Sequence, residues 1–216
     1  LTILLLCFSL CTMQGQSVDD ASDWRRIAID SNETDAKRAI AYCRLAELFF
    51  YQNIDDYQNS LQSAVSLVKD SSSIEMAYVY YTEALQAVSE AAFQTALSKS
   101  LLSINLARQY KDTELLMSCY LILSEVYSFK GLTVNTVAAA FKALQLSESV
   151  GKKADQTFLH LCIAKRYLNL GQFQKAKGHL QDVQAERLAF SFKRGLPLKA
   201  IYELEMARFF NQTEQW

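Results

Sequence analysis

The sequence predicts an all-α chain of stacked helical hairpins, and three observations predict it. Its 216 residues include one proline, Pro197, and only 6 glycines, too few turn formers for a sheet protein. Beyond Asp35, apolar residues recur at helical spacing in segments of about 15 to 20 residues separated by brief polar breaks, so consecutive helices should be antiparallel neighbours. The pattern of small, aromatic and corner residues then repeats at an interval of about 40 residues.

Taken in order, residues 1–17 (LTILLLCFSLCTMQGQS) form an uncharged apolar run that ends at Gly15, Gln16 and Ser17. The run is too short to span a bilayer and matches the apolar region of a secretory signal, with neither an initiator Met nor a basic front. The chain is expected to be clipped there and exported, with cleavage near Gly15; a retained anchor and a lipoprotein signal at Cys11 are the alternatives. Residues 18–34 are polar, carry Asp19, Asp20, Trp24 and an Arg pair, and read as a linker or a capping helix. The repeat region, residues 35–216, divides into approximate units 35–72, 73–112, 113–152 and 153–194, with a partial fifth at 195–216. Its polar breaks fall near Asn53–Asp56, Lys69–Ser73, Glu90–Ala92, Lys111–Thr113, Lys130–Thr133, Gly151–Asp155, Gly171–Gln172 and Gly195–Pro197. A repeat array leaves its last apolar face bare without a cap, so the chain is expected to continue beyond Trp216.

The repeat is visible when the stretch Phe158–Leu180 is shifted back by about 40 residues. Ala164 falls on Ser124 and then Ala84, and Tyr167 on Tyr127 and then Ala87. Gly171 falls on Gly131 and Ala91, Ala176 on Thr136 and Ala96, and Leu146 on Leu106. An earlier copy is expected at a shift of about 36, with Leu48, Tyr51, Tyr57 and Ser60 standing for Ala84, Ala87, Phe93 and Ala96. Small residues recur where helices approach closely, and glycine or alanine recurs at the corner.

IAKRYLNLGQFQKA (Ile163–Ala176) resembles the tetratricopeptide repeat, with a small residue and an aromatic on the first helix and an alanine on the second. LSEVYSFKGLTVNT (Leu123–Thr136) and EALQAVSEAAFQTA (Glu83–Ala96) follow the same frame more loosely. The resemblance covers about Asp35 to Arg187, and LEMARFF (Leu204–Phe210) looks like a partial fifth copy. It implies a right-handed α-α superhelix, a TPR-like solenoid, of about four hairpins plus a partial fifth, whose concave surface is lined mainly by the first helix of each pair. The usual repeat is about 34 residues, so each helix here is expected to be about three residues longer.

Charge and chemistry narrow the function. The formal net charge is −1, from 22 basic and 23 acidic residues in mixed order, which leaves no electrostatic footprint for nucleic acid. Cys7 and Cys11 lie in the leader; Cys43, Cys119 and Cys162 read as small buried hydrophobes without CxxC spacing. His160 and His179 read as packing and surface residues, so no metal and no cofactor is expected. No phosphate loop, HExxH or GxSxG motif is present, and the pairs Asp19–Asp20 and Asp55–Asp56 read as solvated or capping carboxylates, so the chain is not expected to be an enzyme. Asn32 and Asn211 begin glycosylation sequons, relevant in a eukaryotic source.

What remains is the surface that the resemblance places on the first helices. It implies groove positions at Tyr42 and Phe49, at Tyr78, Tyr81 and Leu85, at Glu125 and Phe129, and at Lys165 and Asn169. Rings in the amino-terminal half and polar groups in the other would suit a peptide or a partner's helix. Inter-repeat core is the alternative for Tyr78, Tyr81 and Phe129. The Lys/Asn clamp by which chaperone-binding members of the family hold a peptide carboxylate is met only by Lys165 and Asn169, so that activity does not carry over. The expected function is therefore an exported, periplasmic or extracytoplasmic scaffold that binds a peptide or protein. It looks like the sensory part of a bacterial membrane-bound regulator with a histidine kinase or DNA-binding output, attached to the membrane through its leader or a region beyond residue 216. A structural scaffold in envelope assembly is the alternative.

Overall fold

The computed structural model describes residues 17–50, 53–150, 153–183, 192–193 and 196–213. Residues 1–16 of the expected leader, and parts of the breaks and of the final copy, lie outside the described residues. The described chain is all-α. Its helices are α1 (Ser17–Ile29), α2 (Asp35–Phe49), α3 (Ile54–Leu67), α4 (Ile74–Ser89), α5 (Phe93–Gln109), α6 (Thr113–Phe129), α7 (Thr133–Val150), α8 (Lys153–Asn169), α9 (Phe173–Gln181) and α10 (Leu198–Thr213). A two-residue antiparallel ladder, Phe192–Lys193 against Leu196–Pro197, precedes α10.

Recurrent local chemistry begins four of the described helices and turns three of the hairpins. Thr34, Asn53, Ser73 and Asp112 cap α2, α3, α4 and α6, each side-chain oxygen accepting from backbone N–H groups of the first turn that would otherwise lack a partner. At the corners the chain must enter the left-handed region to leave the helix. Ala91, Gly131 and Gly171 do so with φ of 56°, 71° and 67°. The next residue then donates back five positions: Ala92 to the Ala87 carbonyl (2.8 Å), Leu132 to Tyr127 (2.9 Å) and Gln172 to Tyr167 (2.9 Å). The α5–α6 link uses the same device, with Lys111 at φ 58° and Asp112 donating to Ala107 (2.9 Å).

Successive first helices, α2, α4, α6 and α8, start 39, 39 and 40 residues apart; the second helices α3, α5, α7 and α9 start 39, 40 and 40 apart. The expected shift of 36 for the earliest copy is therefore corrected. Leu45, not Leu48, stands in register with Ala84, and Tyr57 stands with Ala96 rather than with Phe93. Tyr57 is fully buried where the later copies hold Ala96, Thr136 and Ala176. Its ring occupies the space, and its hydroxyl donates to the Thr82 carbonyl at 2.6 Å. The shift of 36 matched one ring to another and so lost the helix register.

Packing follows the chain order. Each helix from α1 to α9 contacts the next, and the first helices also touch across the hairpins, α2 with α4 and α4 with α6, while α10 packs on α8 and α9. Ala84, Ser124 and Ala164 are fully buried at the positions where helices meet. One core cluster runs from Cys43 on α2 to Ala139 on α7, and a second from Met117 on α6 to Phe209 on α10. Helix α6 serves both: Cys119, Ile122 and Val126 join the first, Met117 and Leu121 the second. Residues 18–34 supply α1, whose Ala28 packs with Ala41 and Leu45 of α2 and whose Ala28 carbonyl accepts from Arg38 Nε at 3.1 Å.

Candidate functional site

The first helices carry two different surfaces. Along α2, α4 and the start of α6, polar groups are knitted into the interior. Arg44 lies at the centre, with Nη1 on Glu47 Oε2 at 3.3 Å, Nη2 on Glu114 Oε1 at 3.0 Å, and its guanidinium 5.0 Å from the Tyr78 ring centroid. It also donates to the Tyr78 hydroxyl (3.2 Å), which in turn donates to Asp112 Oδ2 (2.8 Å), while Tyr81 donates to Glu47 Oε1 (2.7 Å). Burial opposes the Arg44 charge, but Tyr78, Glu47 and Glu114 around it hold its pKa above the usual range. Burial likewise pushes the Tyr78 phenol up, against the pull of Arg44, so it stays a neutral donor.

This network accounts for two of the expected groove rings. Tyr78 and Tyr81 are 6% and 1% exposed, and Leu85 is 1% exposed within the first core cluster. Of the two alternatives for these rings, the structure places both in the interior, and Leu85 is corrected to core as well. The positional rule borrowed from the resemblance does not register that α4 is flanked by both α2 and α6, whose side chains cover these positions. Tyr42 is half-buried against two core clusters, and Phe49 is half-buried beside α1, with the Arg25 guanidinium 5.3 Å from its ring centroid.

The remaining four lie at equivalent positions on the next two first helices. Glu125 and Phe129 are one turn apart on α6; Lys165 and Asn169 occupy the same positions, one 40-residue interval later, on α8. Glu125 is half-buried, whereas Phe129, Lys165 and Asn169 are exposed. Phe129 keeps 65% of its surface open while stacking on Phe93, centroids 4.9 Å apart. Arg166 Nη1 donates to Ser128 Oγ at 3.1 Å and ties the two helices, and Asn169 Oδ1 accepts from Arg208 Nη2 of α10 at 2.6 Å. Arg208 also pairs with the buried Glu205 at 2.9 Å. The result is a strip with an apolar ring, a carboxylate, an ammonium and an amide on firmly packed helices, chemistry suited to recognition.

Two features escaped the sequence reading. The Arg44 network was hidden because its members are spread over three helices, although Arg44, Tyr78 and Asp112 recur at a separation of 34 residues. His160 and His179, expected as packing and surface residues, meet across the α8–α9 hairpin with Asp182 beside them, a group able to hold a metal ion. The corner at Gly171 was the available signal, since it folds α9 back along α8. Cys43, by contrast, behaves as expected of packing: burial pushes its thiol up to about 12, far from a reactive thiolate.

No protein-family model matches this chain, and no curated protein or solved structure matches it.

Proposed function

We propose that this chain is a tetratricopeptide-like right-handed superhelix that binds a peptide or protein partner along its first-helix face. The observation that carries the reading is the strip on α6 and α8, where Glu125 and Phe129 are matched by Lys165 and Asn169 at the same positions one interval later. A regular interval of this kind lets an extended or helical segment meet equivalent positions on successive hairpins. Phe129 supplies a preorganised apolar anchor, because stacking on Phe93 limits its rotamers while most of the ring stays open. Glu125 and Lys165, of opposite charge, fix the direction in which a partner lies.

The expected apolar leader supports an exported, extracytoplasmic scaffold, and a sensory role within a longer regulator follows from the same reading. No helix of the described residues is long and apolar enough to cross a membrane, so membrane attachment in this proposal rests on other segments.

Selection of displayed peptides on the full chain tests the proposal. Enriched sequences should share an apolar residue next to a charged one, and Phe129→Ala should weaken their binding by about tenfold or more while leaving the thermal melt unchanged. Enriched peptides that bind Phe129→Ala, Glu125→Lys and Lys165→Glu as well as the parent would overturn it.

A further inference from the structure

The meeting of two histidines and an aspartate at the α8–α9 hairpin lies outside the proposed binding strip and stands on its own geometry. His160 projects from α8, His179 from the last turn of α9, and Asp182 is the residue that ends α9. The Nδ1 atoms of His160 and His179 are 3.1 Å apart, and His160 Nδ1 lies 3.5 Å from Asp182 Oδ2. All three ligating atoms lie within 4.8 Å of one another. Bonds of about 2.0–2.1 Å to a tetrahedral ion place neighbouring donor atoms about 3.3–3.4 Å apart, so an ion fits among these atoms after shifts of a few tenths of an ångström to about one and a half. We propose that His160, His179 and Asp182 form a Zn²⁺ site that clasps α8 to α9.

Further observations favour this ligand. A hydrogen bond between the two Nδ1 atoms uses one Nδ1–H, and moving that proton to Nε2 of the same ring leaves both Nδ1 lone pairs free for an ion. Asp182 ends α9, where the unpaired carbonyls of the last turn favour a cation. The donor set, two imidazoles and one carboxylate, suits Zn²⁺ and leaves a position for water, which the exposure of Asp182 supplies. Phe141 and Tyr167 pack on the His179 ring, with centroids at 5.6 and 5.7 Å, and hold its orientation. This site departs from the sequence expectation of no metal.

Titration of the full chain with Zn²⁺, followed by calorimetry and by the thermal melt, tests the proposal. One ion per chain should bind, the melting temperature should rise by several degrees, and EDTA should reverse the rise. Co²⁺ in place of Zn²⁺ should give the visible absorption of a tetrahedral site. His160→Gln and His179→Asn should each weaken binding by about tenfold or more. Asp182→Asn, at an exposed position that leaves the histidine pair intact, should weaken it as well, so the test survives a folding failure of either histidine variant. No saturable binding, binding unaltered in all three variants, or binding abolished instead by alkylating the cysteines would each overturn it.

Discussion

The Tyr81 hydroxyl on α4 donates a 2.7 Å hydrogen bond to Glu47 Oε1 on α2, 34 residues earlier, inside the protein. Glu47 is only 7% exposed and also receives Arg44, so its carboxylate is stabilised by groups from two successive hairpins. Removing the phenolic O–H while keeping the ring takes one donor from a buried anion. Tyr81→Phe should therefore cost about 1–3 kcal/mol in urea unfolding, with an unchanged far-UV spectrum. A loss under about 0.5 kcal/mol would mean the network is not held this way.

The corners provide a matched pair of substitutions. Ala91 adopts φ 56° although it carries a Cβ, whereas Gly131 and Gly171 take the same conformation without one. A Cβ built at either glycine meets nothing within 4 Å, so backbone conformation alone decides the outcome. Ala91→Gly should stabilise by up to about 1 kcal/mol, and Gly131→Ala should destabilise by about 1 kcal/mol. Equal and opposite effects at equivalent corners, read from melting temperatures, would establish their common geometry.

Ala164 is fully buried in the second core cluster, at a position where only a small side chain fits. Ala164→Trp should overpack that site and cost about 1–3 kcal/mol or more. Lys165→Trp, at the exposed neighbouring position, serves as the control and should change stability by less than about 0.5 kcal/mol. Similar stability in the two variants would place Ala164 outside the core.

Glu205 of α10 is 1% exposed, and burial raises its pKa even though Arg208 and Lys165 pull it down. Ionisation is thus harder in the folded chain than in the unfolded one. The stability this group contributes is fully present below the unfolded pKa and is lost as pH rises through the folded value. Glu205→Gln should therefore raise the melting temperature at pH 7, with the advantage shrinking towards pH 4. An advantage for the parent that grows with pH would mean that the 2.9 Å pair with Arg208 outweighs desolvation.

The sequence made legible whatever depends on neighbours along the chain. Ala91, Gly131 and Gly171 were aligned as corners, and all three adopt the left-handed conformation that leaves a helix. Ala84, Ser124 and Ala164 were aligned as close-approach positions, and each is buried. The first copy was misaligned because Tyr57 fills a place that later copies give to Ala96 or Thr136, and pattern alone cannot weigh a volume exchanged between helices. The resemblance implies a groove place for Leu85 and leaves Tyr81 between groove and core, because it carries a general geometry, whereas both lie in the core that α4 shares with its neighbours. The pairing of His160 with His179 needed the phase of α9 against α8, which no single run of residues carries.

Helix α6 gives one face to each core cluster, and with α7 it is shared by both among the described residues. A torque applied at the amino-terminal end must therefore pass through this pair to be felt at the carboxyl-terminal end. Because Glu125 and Phe129 ride on the same helix, a partner held there as proposed would stiffen both halves at once.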